Sequence, residues 1–168
     1  MEFKKIQKKF NSNKPAIVFL IKFFIIYFVL STIISLLDLS LITNYLAMLT
    51  ASMLGLEFIG NIIFIDSVRF IITNYCTGLM SGAILASIIF ALKRPELKQK
   101  LLLFLFGFCL LLIINIPRLL LVLVSAKVGF DAEIVHTITW FVMSGIILVI
   151  WYYGTKSITK NDFNKLLN

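Results

Sequence analysis

The sequence predicts an all-α integral membrane protein, because its apolar residues form long runs that carry few charges. Hydrophobic residues make up 60% of the 168 residues and the mean hydropathy is +1.01, whereas soluble domains are about 45–50% apolar. The Lys and Arg residues cluster just outside the apolar runs, as membrane topology signals do. We therefore attribute the net charge of +8 to membrane orientation and expect no nucleic-acid partner.

Four apolar runs are long enough to predict about four transmembrane helices. A fifth run, residues 41–56, is shorter and uncharged. Its Leu, Ile, Met and Tyr side chains form one stripe at helical spacing, with Ser, Thr and Asn on the other faces. These features favour an outer, interfacial amphipathic helix over a full span. The predicted spans are residues 16–37, 77–92, 101–125 and 134–153.

Residues 57–73 have a different composition, rich in Ile, Phe and Val. Gly60-Asn61 and Asp66-Ser67 interrupt the segment, which predicts short strands joined as a β-hairpin-like unit. Because an open sheet edge cannot face lipid, we expect this unit to lie outside the bilayer or to cover helix ends.

The charge distribution predicts the organisation of the chain. Residues 1–15 form a basic cytoplasmic arm, residues 16–153 a single membrane-embedded domain, and residues 154–168 a cytoplasmic tail. The arm, the loop at residues 93–100 and the tail hold most of the 16 Lys and Arg residues. The positive-inside rule then predicts a multi-pass protein of the cytoplasmic (plasma) membrane with both termini inside. Two cysteines in unlike contexts provide no metal-ligand spacing, and we expect neither a metal nor another cofactor.

Three polar residues fall at the same predicted depth, near the outer surface. Cys76 precedes the inner-boundary residue Lys93 by a helical length of about 25 Å, and Arg118 follows Lys100 by about 27 Å. His136 lies at the outer start of the last helix. In a hydrocarbon core of roughly 30 Å, all three residues reach the outer interface.

A thiol, a guanidinium and an imidazole at one depth form a candidate nucleophile, anion stabiliser and general base. Cys76 is predicted at a helix start, which favours the thiolate. Each residue also has an ordinary interpretation: Cys76 as a small apolar side chain, Arg118 as an interface anchor, and His136 as a hydrogen-bonding residue. Asn115, three residues before Arg118, and the interruption at Pro117 favour a polar site within the bundle.

The residues adjoining this set provide further candidates. We predict that Thr77, Gly78 and Asn115 contribute to substrate binding. Cys109, in contrast, lies mid-helix among Leu and Phe and is expected to be a core packing residue.

The motifs that carry these residues resemble the exosortase/archaeosortase family. They are NYCTGL at 74–79, NIPR at 115–118 and VHTITWFVMSG at 135–145. The resemblance covers roughly residues 40–153. Many members of the family have additional N-terminal helices, whereas only one predicted span precedes the amphipathic segment here.

The resemblance implies an intramembrane cysteine protease/transpeptidase that acts on the outer face of the cytoplasmic membrane. Its substrates would be secreted proteins with a C-terminal motif, a transmembrane helix and a basic tail. Cys76 would be the nucleophile and form a thioester, His136 the general acid/base, and Arg118 the group that stabilises the oxyanion or thiolate. The acyl group would pass to an amine-bearing acceptor, which could be a lipid, or to water.

Two other functions remain compatible with the sequence. The first is a non-catalytic small membrane protein, such as a transport or assembly subunit, in which replacement of Cys76 would be silent. The absence of an internal repeat weighs modestly against a transporter. The second is a cysteine acyltransferase that acts on lipid instead of peptide.

Overall fold

Helices and one small sheet form the part of the chain that the structure describes. The computed structural model describes residues 2–66 and 68–159, with side chains within residues 14–66 and 68–157. A short 3-10 helix, Asn74–Thr77, lies between the sheet and the third α-helix. The elements are α1 Glu2–Leu36, α2 Ser40–Leu54, β1 Glu57–Ile59, β2 Ile62–Ile65, β3 Val68–Ile71, α3 Leu79–Ala91, α4 Leu97–Lys127 and α5 Ala132–Thr159.

Three of the described helices are long and apolar enough to cross a membrane, which confirms a helical membrane protein but not the predicted number of spans. They are α1 from Lys14 onward, α4 and α5. The expected span at residues 77–92 is instead α3, whose 13 residues are about 20 Å long, short of the roughly 30 Å core. The helix starts late because Gly78 has a φ of +82° and ends early because Leu92 is extended.

Helix α3 lies at the centre of the bundle. Ten of its 13 residues are buried, and it packs against α1, α4 and α5. The long helices therefore enclose the short one, so that α3 need not match the membrane thickness by itself.

The segment at 57–73 forms a three-stranded antiparallel sheet in the order β1-β2-β3, one strand more than a single hairpin. The two predicted interruptions are the two turns. Gly60 and Asp66 have φ values of +60° and +51°, a region that Gly adopts freely and Asp tolerates. Ile63 and Ile65 point into the protein from β2, so the sheet packs one face on the helices.

Helix α2 is confirmed, but it presents its predicted apolar stripe outward. Leu41 and Tyr45 are exposed, whereas Leu46 of the stripe faces the protein together with small and polar residues. This arrangement allows α2 to pack closely on α4, as small residues do at helix contacts in membranes. The buried residues are Thr43, Leu46, Ala47, Thr50 and Ala51.

The ends of the domain differ from the sequence prediction. Helix α1 already begins at Glu2, within the predicted arm. Helix α5 continues to Thr159, so the segment after residue 153 starts as helix. The remainder of the predicted tail, residues 160–168, lies outside the described residues.

Two apolar clusters occupy opposite ends of the bundle. The first cluster joins α2, the sheet and the end of α4, and includes Ile63, Ile72 and Leu119. The second cluster joins α3, α4 and α5, and includes Leu111 and Met143. The polar residues of the candidate site lie on α4 and α5 between these two clusters.

Candidate active site

Cys76 lies in the 3-10 helix and not at the start of α3. Its backbone N–H donates to the carbonyl of Thr73 at 2.8 Å, and the Thr73 hydroxyl lies 3.7 Å from the Cys76 sulfur. Gly78 then separates this turn from Leu79, where α3 begins. The thiol therefore does not lie at the N-terminus of an α-helix, and the predicted stabilisation of the thiolate by such a terminus does not apply.

Asn115 connects Cys76 to Arg118. Its Nδ2 donates to the Cys76 carbonyl at 2.7 Å, and its Oδ1 accepts from Nη1 of Arg118 at 3.1 Å. The residue is only 1% exposed. A buried amide with both ends paired holds its neighbours in one geometry, because each broken hydrogen bond would leave a polar group without solvent.

Arg118 is enclosed by protein, with 7% of its surface exposed, which excludes the interface-anchor interpretation. Its Nε donates to the Thr139 hydroxyl at 3.3 Å, and its guanidinium carbon lies 5.0 Å from the centre of the Trp140 ring. Nη2 is buried and has no hydrogen-bond partner among the described residues.

His136 is fixed by the first turns of α5. Its carbonyl accepts a hydrogen bond from the Thr139 hydroxyl at 2.8 Å, and its ring meets Trp140 edge to face at 6.5 Å between centroids. Thr139 thereby contacts both His136 and Arg118. Within the described part of the chain, Nε2 of His136 is buried without a partner, which leaves this nitrogen free for proton transfer.

Cys76 and His136 line the same cavity, whose volume is about 330 Å³. Its wall is mostly apolar, from β3, α4 and α5, and Glu133 contributes a carboxylate. Among the described residues no hydrogen bond joins the Cys76 sulfur to the His136 ring, so the two groups face a shared space. The cavity therefore provides room for a reacting group between a thiol and an imidazole.

The three predicted binding residues surround Cys76 without lining this cavity. Thr77 is buried, and its hydroxyl donates to the Asn74 carbonyl at 2.7 Å. A side chain on Gly78 would lie 3.3 Å from Asn115. These contacts are internal to the protein, and the role of Thr77, Gly78 and Asn115 in substrate binding stays a prediction.

Sequence reasoning missed Thr73, Thr139 and Trp140. The last two follow His136 by three and four residues, the spacing that places side chains on one helix face, and this spacing could have identified them. Trp140 packs on the Arg118 guanidinium. Cys109, expected in the core, is exposed on α4.

The comparisons with known proteins show the family to which the chain belongs. The family model of transmembrane exosortases matches residues 12–153, most of the 168-residue chain. No curated protein and no solved structure matches the chain. Because the family match includes α2, the sheet, α3, α4 and all the site residues described above, the chain belongs to the transmembrane exosortase family.

Proposed function

We propose that this protein is a membrane-embedded cysteine protease/transpeptidase that cleaves C-terminal sorting signals of secreted proteins and transfers them to an acceptor. One observation carries the proposal. Cys76 and His136 face one cavity. Asn115 connects Arg118 to Cys76 through two hydrogen bonds, and Nη2 of Arg118 is buried without a partner among the described residues. A nucleophile, a base and an anion stabiliser are the groups that acyl transfer requires.

Each residue has one step in the proposed reaction. His136 takes the proton of the Cys76 thiol. The thiolate attacks the carbonyl carbon of the scissile peptide bond, and the resulting oxyanion accepts a hydrogen bond from Nη2 of Arg118. His136 gives a proton to the leaving amine as the C–N bond breaks, which leaves a thioester on Cys76. An acceptor or water then attacks the thioester and restores the thiol.

The proposed orientation places the site on the outer face of the cytoplasmic membrane with both termini inside. The basic loop between α3 and α4 and the basic N-terminal arm support it through the positive-inside rule. A secreted substrate would then present its motif at the site while its own transmembrane helix lies beside the bundle. Holding the motif and the thiol at one depth makes their encounter effectively intramolecular.

A trapped thioester tests the proposal. The full chain in lipid nanodiscs is incubated with tagged proteins that each end in a short motif, an apolar helix and a basic tail. We expect the mass of the protein to rise by the acyl fragment and to return to its starting value with hydroxylamine. Cys76→Ala should form no adduct, whereas Cys109→Ala, which removes the exposed thiol on α4, should form it normally.

Arg118→Lys provides a second variant that keeps the charge. Lysine lacks the planar guanidinium, which donates hydrogen bonds to Asn115 and Thr139 and still has Nη2 without a partner. We expect adduct formation to slow by about 100-fold or more, the scale of losing one oxyanion donor.

Normal cleavage by Cys76→Ala would refute the proposal. A fatty acyl group in place of a peptide on Cys76 would identify a lipid acyltransferase instead.

A further inference from the structure

The cavity of the candidate site has an apolar part and a polar part. Ile72, Leu119 and Leu123 line the apolar part, and all three belong to the first apolar cluster. Glu133 and His136 line the polar part from the first turns of α5. A peptide in this cavity therefore meets different surroundings along its length.

Cys76 belongs to the apolar part, because it packs against the first apolar cluster, as Phe70 does. In a thioester on Cys76, the carbonyl carbon is bonded to the sulfur, and the side chain of that residue begins at the adjoining Cα. This side chain must therefore lie beside the sulfur, where the wall is apolar. The leaving amine receives its proton from His136 in the proposed reaction and lies toward the polar part.

The apolar wall is closely packed, which makes it selective for size. Ile72, Leu119 and Leu123 are only 4%, 4% and 2% exposed, and side chains packed to this degree have little room to move. The cavity volume is about 330 Å³, whereas a cavity of about 150 Å³ lined by Leu, Ile and Phe accepts benzene. There is thus room for one large apolar side chain and the peptide bond beside it.

A polar side chain fits the same place poorly. Against this wall it would lose its hydrogen bonds to water and gain none in exchange. The half-buried Val122 of α4 also lines the cavity. Because its side chain is less enclosed than those of Leu119 and Leu123, it can be replaced with less disturbance of the core.

We propose that this cavity binds the residue on the acyl side of the scissile bond and selects a large apolar side chain there. The inference rests on the proposed function and names a property of its substrate, the residue that becomes bonded to Cys76. Val122 limits the size of the side chain that the pocket accepts.

Acylation by amino-acid esters tests the inference without knowledge of the sorting motif. The full chain with Cys109→Ala, in lipid nanodiscs, is treated with p-nitrophenyl esters of N-acetylated leucine, alanine, methionine and glutamine. Each ester joins its acyl carbon to the Cys76 sulfur and releases p-nitrophenol, and the thioester is measured by intact mass as the adduct that hydroxylamine removes. We expect leucine to react about tenfold faster than alanine, and methionine about tenfold faster than glutamine, which has a similar length.

Substitutions at Val122 separate the pocket from simple enrichment of apolar esters in the lipid. Such enrichment is the same for every variant, so the ratio of the leucine rate to the alanine rate reports the pocket. Val122→Phe fills the cavity and should lower this ratio by about fivefold or more. Val122→Ala adds no bulk, and it should raise the rate with the phenylalanine ester relative to the leucine ester.

Val124→Phe is the matched control. It makes the same change on the same helix, but Val124 is 39% exposed and is not among the described residues that line the cavity. We expect it to leave the ratio of the leucine rate to the alanine rate unchanged.

A straight-chain ester tests the other apolar occupant that a membrane offers. If p-nitrophenyl octanoate acylates Cys76 faster than the leucine ester does, and Val122→Phe abolishes that advantage, the pocket holds a fatty acyl chain and the peptide assignment is wrong. A slower reaction of octanoate supports the peptide side chain.

The outcomes separate the pocket from the proposed function. If Cys76 is acylated but neither Val122 variant changes the preference, or if Val124→Phe changes it equally, the pocket is refuted and the nucleophile stands. If no ester acylates Cys76, the nucleophile and the pocket are refuted together.

Discussion

Asn115 is the residue through which the backbone of Cys76 and the guanidinium of Arg118 are held together. Sequence spacing places it on the same helix face as Arg118, one turn earlier. Its contact with Cys76, 39 residues away in the chain, depends on how α4 packs against the 3-10 helix. The polar character of the site was thus predictable from residue types, whereas the pairing of the groups was not.

Arg118 illustrates the energetics of the site at the same scale. A charge in an apolar segment is costly, by about 2.5–3.5 kcal/mol at mid-bilayer on insertion scales. Hydrogen bonds from Nε and Nη1 to Thr139 and Asn115 offset part of that cost. Nη2 is buried and adds no hydrogen bond among the described residues, so it offsets none of that cost.

Gly78 and Gly129 allow the packing of the site to be tested apart from backbone strain. Both have positive φ, +82° and +88°, but a Cβ on Gly78 would lie 3.3 Å from Asn115, whereas a Cβ on Gly129 would meet nothing within 4 Å. We expect both alanine variants to lose about 1–2 kcal/mol of stability from the left-handed backbone. Gly78→Ala should lose more, and it should also change the rate at which iodoacetamide alkylates Cys76.

The measurements are heat-induced unfolding in detergent and intact-mass kinetics of alkylation. Equal stability and equal alkylation rates for the two variants would contradict the proposed contact between Gly78 and Asn115.

Helix α3 shows, at the scale of elements, why the number of spans was mispredicted. Counting apolar residues from Thr77 to Leu92 assumes that the helix continues through the whole run. The positive φ at Gly78 and the extended Leu92 shorten it at both ends. A short helix is tolerated here because α3 is buried among α1, α4 and α5. Backbone groups at its ends can then be surrounded by protein instead of lipid.

Gly107 of α4 marks the closest approach of three helices. A Cβ there would lie 2.8 Å from Leu85 of α3 and 2.9 Å from Ile150 of α5. We expect Gly107→Val to destabilise the bundle by about 1–3 kcal/mol, the usual cost of overpacking, measured as a lower unfolding midpoint in detergent. Gly145→Val on α5 is the matched control, since a Cβ there meets nothing within 4 Å; an equal loss in both variants would contradict this packing.

Helix α2 shows the limits of an amphipathic pattern in a membrane protein. Its apolar stripe was predicted correctly, and so was its helical form. In water such a stripe would face the protein, whereas next to a bilayer the apolar side chains can face lipid and the small ones can face α4. Sequence periodicity identifies the stripe, but it does not show whether the stripe faces protein or lipid.

At the scale of the whole molecule, the two apolar clusters place a polar layer between them. The first cluster packs the sheet and α2 against the end of α4, and the second cluster joins α3, α4 and α5. Thr73 and Cys76 from the sheet side therefore meet the side chains of α4 and α5 at one level. The small sheet contributes to the site by positioning the 3-10 helix.

The orientation of the molecule is tested by labelling single cysteines in a Cys76→Ala, Cys109→Ala background. Lys127, in the last turn of α4, is predicted outside, and Lys98, in the first turn, inside. We expect a membrane-impermeant maleimide to label Lys127→Cys in intact cells, and Lys98→Cys only after permeabilisation, because the basic loop is retained in the cytoplasm. The reverse labelling pattern would place the site on the inner face and contradict the proposed function.

The sequence alone determined that this is a helical membrane protein and where its charges cluster, since these properties follow from composition. It also predicted, from residue spacing along helices, that Cys76, Arg118 and His136 share one depth. Only the tertiary structure decided that Asn115 links Cys76 to Arg118, that Thr139 and Trp140 complete the site, and that α3 is too short to span. The physical reason is that spacing along a helix sets the position of each residue along the helix axis and the helix face on which its side chain lies. The packing of small residues between elements decides which faces meet.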